Sequence, residues 1–187
     1  MLRTQLKLCR LLVRHVVVTL IAMGHCAALE ATSYTSPGGE YSVSYPSTWV
    51  HYPEAKSLYI LNFPLTRIVK EILLPEHGAM ITFANTRPTP HSLEEWIESD
   101  AKRRGAVERR SFAVQREGQS SALSVTEIIS HSTRGTLEFE EVDWYFSVDG
   151  NLFDAVLLYR GGDLRKSEYL LVLNQVVSSL KAERRQP

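Results

Sequence analysis

The strongest constraint on the fold lies between residues 107 and 160, where four strand-like runs follow one another directly. The runs span residues 107–115, 122–132, 136–148 and 152–160. Each connecting turn is short and contains a glycine, at Gly118, Gly135 or Gly150, which adopts a positive φ without strain. Because short connections join antiparallel neighbours, this region predicts a four-stranded antiparallel meander.

Residues 152–159 predict a central strand of this meander. They are apolar at both odd and even positions apart from Asp154, which is typical of a strand covered on both faces. The run 136–148 changes parity, since its apolar residues occupy mainly odd positions before residue 140 and mainly even positions after it. We therefore expect a β-bulge at Glu140 and Glu141 that turns both sets towards one core.

Two helices and three further strands complete the predicted fold. The strands are expected at residues 41–45, 58–62 and 79–85. Ser92 and Glu95 have the spacing of a capping box at the start of a helix, which Gly105 ends. A helical stripe of apolar residues predicts a second, long helix over residues 164–180. The predicted class is α+β, an α/β/α sandwich around a mainly antiparallel sheet with a long C-terminal helix.

Residues 1–28 have the pattern of a secretory signal peptide. Four basic residues precede an apolar run at 16–23, and small residues follow at Cys26-Ala27-Ala28. The run is shorter than the roughly 20 apolar residues that span a bilayer. We expect cleavage after Ala28 and a periplasmic or secreted protein. Two alternatives remain: acylation of Cys26, which anchors a lipoprotein, and retention of the leader as a membrane anchor.

Loss of this leader changes the chemistry of the remaining chain. Cys9 and Cys26 both lie within it, so the mature domain is free of cysteine and forms no disulfide, which suits a bacterial periplasm. The full chain has 21 basic and 21 acidic residues, and removal of four basic residues leaves a formal charge of −4. A mildly acidic surface argues against nucleic acid and against docking on anionic lipid.

The sequence contains no clear catalytic or metal-ligating constellation. No serine lies in a G-x-S-x-G elbow, and no cysteine remains as a nucleophile once the leader is lost. His77 and His91 flank one predicted strand, but neither has a second ligand at metal-binding spacing. The acidic residues at 138–143 are expected to be solvated, and Asp154 either faces solvent or needs a partner. We therefore predict a protein that is not an enzyme and uses no cofactor or metal.

Aromatic residues crowd the N-terminal part of the mature chain. Tyr41, Tyr45, Trp49 and Tyr52 are the candidate interaction surface, because Tyr and Trp are enriched at protein interfaces. The same residue types also pack in cores. The alternative is therefore that these side chains cover the core and an open edge of the sheet.

The segment Gly39–Trp49 reads Gly-Glu-Tyr-Ser-Val-Ser-Tyr-Pro-Ser-Thr-Trp. It resembles the opening motif of the PsbP-like superfamily, which includes a photosystem II subunit, the bacterial envelope protein DcrB and a Ran-binding import factor. The stretch from Asn151 to Leu180 is similar to the end of that family's domain, so the resemblance covers residues 39–182.

The resemblance implies an α/β/α sandwich and a non-enzymatic task, namely binding a partner and supporting the assembly or stability of a complex. It transfers no functional residue to this chain. The leader is of bacterial type, so the resemblance implies a bacterial exported member. The predicted organisation is a signal peptide at 1–28, a flexible lead-in at 29–40, a single PsbP-like domain at 41–182 and a tail at 183–187.

The leading functional hypothesis is an exported protein that binds an unknown protein partner in the cell envelope. The alternative is a small-molecule or lipid carrier with a cleft between a helix and the sheet, for which Trp96 and Trp144 are candidate wall residues. A hydrolase would need a nucleophile–base pair that the sequence does not display.

Overall fold

The computed structural model describes residues 30–54, 57–65, 74–86 and 92–182. Within these residues the chain forms ten strands and two helices. The strands are β1 (Ala31–Thr35), β2 (Tyr41–Pro46), β3 (Val50–Pro53), β4 (Ser57–Leu61), β5 (Ala79–Thr86), β6 (Glu108–Gln115), β7 (Ala122–Arg134), β8 (Leu137–Val148), β9 (Asn151–Arg160) and β10 (Lys181–Ala182). The helices are α1 (Leu93–Arg104) and α2 (Lys166–Ser178).

Seven of these strands form one antiparallel sheet in the order β3-β4-β5-β9-β8-β7-β6. Its last four strands along the chain are the predicted meander, and each pairs antiparallel with the next. β9 lies between β5 and β8 and is largely buried, as its apolar sequence predicted. The described residues therefore form an α+β fold dominated by antiparallel sheet.

The predicted β-bulge at Glu140 and Glu141 is wrong. The pairing of β8 with β9 keeps one register from Phe139 to Val148, and the pairing of β8 with β7 is equally regular. The two sets of apolar residues do not need to share a face, because both faces of the sheet are covered. The apolar residues before residue 140 therefore pack on one face of the sheet, and those after residue 141 pack mainly on the other face.

The two faces of the large sheet carry separate cores. Val142 and Trp144 of β8 point towards α2 and belong to the main core, so we call this side the α2 face. Tyr145 points the other way and packs against Ile97 of α1, so we call that side the α1 face. Phe139 lies on the α1 face as well, in a smaller cluster beyond the helix.

A second, three-stranded antiparallel sheet has the order β1-β2-β10. β1 lies within the segment 29–40 that was predicted as a flexible lead-in, and it pairs with β2 along its whole length. These residues therefore form a strand and not a flexible segment. Val43 of β2 is buried in the main core, so this small sheet shares the α2 face with the helix. The predicted α/β/α sandwich is not confirmed.

α1 begins and ends where its sequence predicts. Glu95 N donates to Ser92 Oγ at 3.2 Å, and Ser92 N donates to Glu95 Oε2 at 2.8 Å, which completes the capping box. Gly105 ends the helix in the left-handed region at φ 64°, where a side chain would be strained.

α2 has 13 residues and is shorter than the predicted helix over residues 164–180. Ser44 N of β2 donates to Ser179 Oγ at 2.8 Å, immediately after the helix ends. The chain then enters β10, which pairs with β2. Because this pairing takes the backbone groups that a longer helix would need, α2 ends at Ser178. The predicted long C-terminal helix is not confirmed.

Neither helix in the described part of the chain combines the length and the apolar sequence needed to cross a bilayer. The predictions for the signal peptide at 1–28 and the tail at 183–187 lie outside the described residues.

Candidate functional site

A groove lies on the α2 face, between α2 and the strands β6, β7 and β8. Its volume is about 480 Å³, and it is open to solvent rather than enclosed. Its lining residues are Arg110, Phe112, Glu127, Trp144, Ser167, Leu170 and Leu171. We call it the aromatic groove.

The two-residue period of the strands places the floor residues of the groove side by side. Residues two apart share a face, so Arg110 and Phe112 of β6 both face α2. Glu127 of β7 pairs with Arg110 on one side and with Trp144 of β8 on the other. The rings of Phe112 and Trp144 meet edge to face, with their centroids 5.1 Å apart. Three neighbouring strands thus build one continuous floor.

Glu127 is a buried carboxylate in this floor, with an exposed fraction of only 1%. Trp144 Nε1 donates to its Oε2 at 2.8 Å, and Arg110 Nε donates to its Oε1 at 2.5 Å. Both oxygens are therefore hydrogen-bonded, and the charge is neutralised by a cation, as a buried carboxylate requires. Glu127 acts as a support for the floor and is not open to a ligand.

Arg110 is the charged group that the aromatic groove presents to solvent. Its side chain is 65% exposed, and its guanidinium carbon lies 5.6 Å from the centroid of the Phe112 ring. The hydrogen bond to Glu127 and the charge of that carboxylate hold the pKa of Arg110 above its usual value. A ligand in the groove would meet apolar surface with a fixed positive group at its edge.

α2 supplies the other wall of the groove through two leucines. Leu170 is partly buried, whereas Leu171 is 70% exposed. The helix buries Tyr169 and Leu173, and Leu171 lies midway between them on a different side of the helix. Contiguous exposed apolar patches commonly mark binding surfaces. Leu171 lies beside the aromatic floor of the groove and is therefore a candidate contact for a ligand or partner.

A second cluster, of charged residues, is buried on the α1 face. Asp143 of β8 is fully buried, and neither of its carboxylate oxygens has a hydrogen-bond partner among the described residues. Arg104 Nη1 of α1 lies 3.6 Å from Asp143 Oδ2 and also contacts Glu141. Arg104 Nε donates to Asp100 Oδ2 at 2.8 Å, and the hydroxyl of Tyr145 donates to the same oxygen.

The two aspartates of this cluster have opposite pKa shifts. Burial raises the pKa of Asp143 from its usual 3.8 to about 7; the charge of Arg104 opposes this rise, and Asp100 and Asp154 add to it. Burial also acts to raise the pKa of Asp100, but its hydrogen bonds and the charge of Arg104 outweigh that effect and lower it. Because both aspartates are buried, their proton equilibria affect the stability of the fold.

The candidate interaction residues lie mostly inside the protein. Tyr41, Tyr45 and Trp49 are 6%, 1% and 9% exposed. Tyr52 is half-buried, and its hydroxyl accepts a hydrogen bond from Leu65 N at 2.9 Å. Large aromatic side chains on these strands bury apolar area against the main core. The first three side chains therefore do not form an exposed surface, and the alternative of a core role describes them.

The predicted cleft residues are divided between the two faces. Trp144 lines the aromatic groove between helix and sheet, whereas Trp96 lies on α1 and meets Tyr145 edge to face at 5.1 Å. Phe112 and Leu171 were not among the predicted residues. The signal for Leu171 was its position outside the buried stripe of α2, and Phe112 carried no signal because its neighbours on the sheet were unknown.

Of the two candidate metal-ligating histidines, His77 contacts a single carboxylate. His77 Nδ1 lies 3.4 Å from Asp163 Oδ2, and the hydroxyl of Tyr169 donates to the same oxygen at 3.0 Å. His91 lies outside the described residues. In the part of the chain that the structure describes, no group of three or more His, Cys, Asp or Glu side chains could hold a metal ion.

Comparison with known proteins identifies the fold. No family model and no curated protein sequence matches the chain. A solved protein from Bacteroides thetaiotaomicron is similar over 82% of this chain, at 14% identity and a TM-score of 0.51, and the chain spans 48% of its length. The Saccharomyces cerevisiae Ran-binding protein Mog1p is similar over 82% of this chain and 96% of its own, at 8% identity and a TM-score of 0.51. The cyanobacterial PsbP of Synechocystis is similar over 87% of this chain and 99% of its own, at 11% identity and a TM-score of 0.46.

The likeness to Mog1p confirms the PsbP/Mog1-like fold that the segment Gly39–Trp49 predicted. At this level of identity the likeness establishes the fold alone, so the function is argued from the chain's own surfaces.

Proposed function

We propose that this chain is an exported, non-enzymatic protein that binds a protein partner in the cell envelope and supports the assembly or stability of a complex. The partner docks in the aromatic groove. The observation that carries this proposal is a groove open to solvent between α2 and the sheet, lined by the buried Trp144, the half-buried Phe112 and the exposed Leu171.

Two further arguments support binding rather than catalysis. The solved relative Mog1p is named for binding another protein. The ionisable groups lining the groove are Arg110 and Glu127, and both Glu127 oxygens are engaged with neighbouring donors. A nucleophile such as Ser167 needs a base within hydrogen-bond reach. Among the residues that line the groove, no carboxylate or imidazole is free to act as that base.

Replacement of Leu171 by glutamate is expected to weaken partner binding about 30-fold or more, the size of a buried interface anchor. The reason is that a carboxylate in the wall of the groove would lose its hydration when the partner docks. Leu171 is 70% exposed, so the substitution leaves the fold intact. The measurement is quantitative mass spectrometry of proteins that co-purify with the tagged full chain from its native envelope.

Leu164→Glu is the matched control for this experiment. Leu164 is 98% exposed and does not line the groove. A discrete partner that is retained by the wild type and by Leu164→Glu, but lost by Leu171→Glu, supports the proposal. Equal loss or equal retention in both variants would place the partner elsewhere and contradict it.

Export is the part of the proposal that rests on the leader. The expected result is an intact mass for the protein from the envelope fraction that places its N-terminus at Leu29. Cleavage after Ala28 also removes both cysteines, so the unfolded mature protein should not react with a thiol reagent. An N-terminus at Cys26 with acyl mass, or at Met1, would contradict cleavage after Ala28.

A carrier of small apolar molecules is the second candidate function. The observation in its favour is that a groove of about 480 Å³, with Trp144 in its wall, lies between a helix and the sheet. This volume is within the range of small-molecule sites, although such sites usually enclose more of the ligand. Native mass spectrometry of the envelope protein distinguishes the two candidates, because a carrier retains a small ligand and a docking protein does not.

A further inference from the structure

β6 is the end strand of the seven-stranded sheet. It is eight residues long and pairs with β7 alone among the described strands. Six of its eight residues are exposed. A long end strand presents a row of backbone N–H and C=O groups that can pair with another chain.

The opposite end of the same sheet is different. β3 has four residues and ends at Pro53, which has no N–H to donate. Short strands and prolines are the usual devices that prevent pairing at a sheet edge. β6 is neither short nor interrupted by proline, and its charged residues, which also discourage pairing, are confined to positions 108–110 at its start.

The outer edge of β6, with which no described strand pairs, also adjoins the aromatic groove. Arg110 and Phe112 lie two residues apart and both face α2, so they form the outer rim of the groove floor. A strand added beside β6 would place alternate side chains next to these two residues. Arg110 favours an acidic neighbour, and Phe112 with Leu171 favours an apolar one.

Arg110 is the exposed cation of the groove lining, although Glu108 lies two residues away on the same face of β6 and its charge also acts on Arg110. Glu127 is buried, and its oxygens already accept hydrogen bonds from Arg110 and Trp144. The guanidinium of Arg110 uses its Nε for this bond, and the Arg110 side chain as a whole is 65% exposed. An incoming side chain therefore meets the positive group first, which selects for a carboxylate.

We propose that the partner docks as an extended segment that pairs with the outer edge of β6 and places an acidic side chain at Arg110 and an apolar side chain two residues away in the aromatic groove. This inference rests on the proposed function and specifies how the partner is held. Main-chain hydrogen bonds supply the affinity in such strand addition, and the alternate side chains supply the specificity.

The test uses a synthetic heptapeptide, acetyl-Thr-Val-Thr-Glu-Thr-Val-Thr-amide, whose Val and Glu side chains share one face. A second peptide has Lys in place of Glu, and a third is N-methylated at alternate residues so that one edge cannot donate. Binding to the mature chain is followed by NMR titration and by hydrogen exchange of the β6 amides. We expect the Glu peptide to bind about tenfold more tightly than the Lys peptide and to slow exchange at alternate β6 amides.

Arg110→Gln is expected to abolish the preference for the Glu peptide. Arg109→Gln is the matched control, because Arg109 is the preceding residue on β6, faces the other side of the sheet and pairs with Glu94 at 2.6 Å. This control should retain the tenfold preference.

Three results would overturn the inference: no binding of the Glu peptide, binding without protection of β6 amides, or equal binding of the Glu and Lys peptides. These results leave the proposed function standing if Leu171→Glu still releases the envelope partner. If that substitution has no effect on the partner while the peptide protects β6, the edge is a binding site and the groove is not its anchor, which contradicts the proposed function instead.

Discussion

Replacement of Asp143 by asparagine is expected to remove most of the pH dependence of stability between about pH 4 and pH 7. In the wild type we expect the free energy of unfolding to fall by about 4 kcal/mol across this range, because the pKa of Asp143 is raised from 3.8 to about 7. Asparagine has nearly the same shape and does not titrate. The measurement is urea denaturation at a series of pH values.

The sign follows from which state holds the proton. Between pH 4 and pH 7 the unfolded chain has lost the Asp143 proton while the folded protein still holds it, so each rise in pH favours unfolding. Above about pH 7 both states are ionised and stability stays at the lower level. Asp100, Glu140 and Asp163 have lowered pKa values in the folded protein. Their contribution to the free energy of unfolding is therefore lost only as the pH falls below the pKa of ordinary carboxylates.

Glu138→Gln is the matched control for the asparagine substitution. Glu138 lies on the same strand and is exposed, so its removal should leave the wild-type pH profile unchanged. At pH 8 the Asp143→Asn protein should be more stable than the wild type, since it does not bury a carboxylate charge that lacks hydrogen bonds. A profile in Asp143→Asn that falls as steeply as the wild type would show that another group carries the effect.

Replacement of Arg104 by methionine is the second change with a large expected effect. It should lower the free energy of unfolding by about 3–5 kcal/mol at pH 7, the usual result of removing one partner from a buried charge cluster. Arg104 is the shared cation for Asp100, Glu141 and Asp143, and two of these carboxylates are buried. The loss should be smaller at pH 5, where Asp143 is protonated, than at pH 8.

Arg103→Met provides the control for this experiment. Arg103 also pairs with Asp100, but its side chain is 69% exposed, so we expect a loss of about 1 kcal/mol or less. The double variant Arg104→Met with Asp143→Asn should recover part of the stability, because it removes a charge that the arginine neutralised. Equal losses in the two arginine variants, or no recovery in the double variant, would mean that Arg104 acts through packing alone.

Most elements of the fold could be predicted because their signals are local. The turns at Gly118, Gly135 and Gly150, the capping box at Ser92 and the apolar run of β9 each depend on residues close together in sequence. The failures have one cause. The bulge expected at Glu140 is absent because both faces of the sheet are covered. α2 is shorter than expected because the chain beyond it pairs with β2. Both features depend on contacts between distant segments.

The same distinction separates the sites. Tyr41, Tyr45 and Trp49 have the composition of an interface, but the main core covers them. Asp143 has the pattern of an outward-facing acid on an alternating strand, but α1 lies over it. Residue type is written in the sequence, whereas exposure depends on which other element packs against the residue.

By itself, the sequence determined the antiparallel meander and the boundaries of α1, since turn chemistry, capping and hydrophobic period act over a few residues. The PsbP/Mog1-like fold came from the resemblance of the segment Gly39–Trp49 to a known family. Only the tertiary structure decided that Arg110, Phe112, Trp144 and Leu171 meet in one groove beside the end strand β6, and that Asp143 is buried without a hydrogen-bond partner among the described residues. These features arise where segments that are distant in the sequence come together. Their geometry is set by sheet order and by the two helices on opposite faces, which no short stretch of sequence encodes.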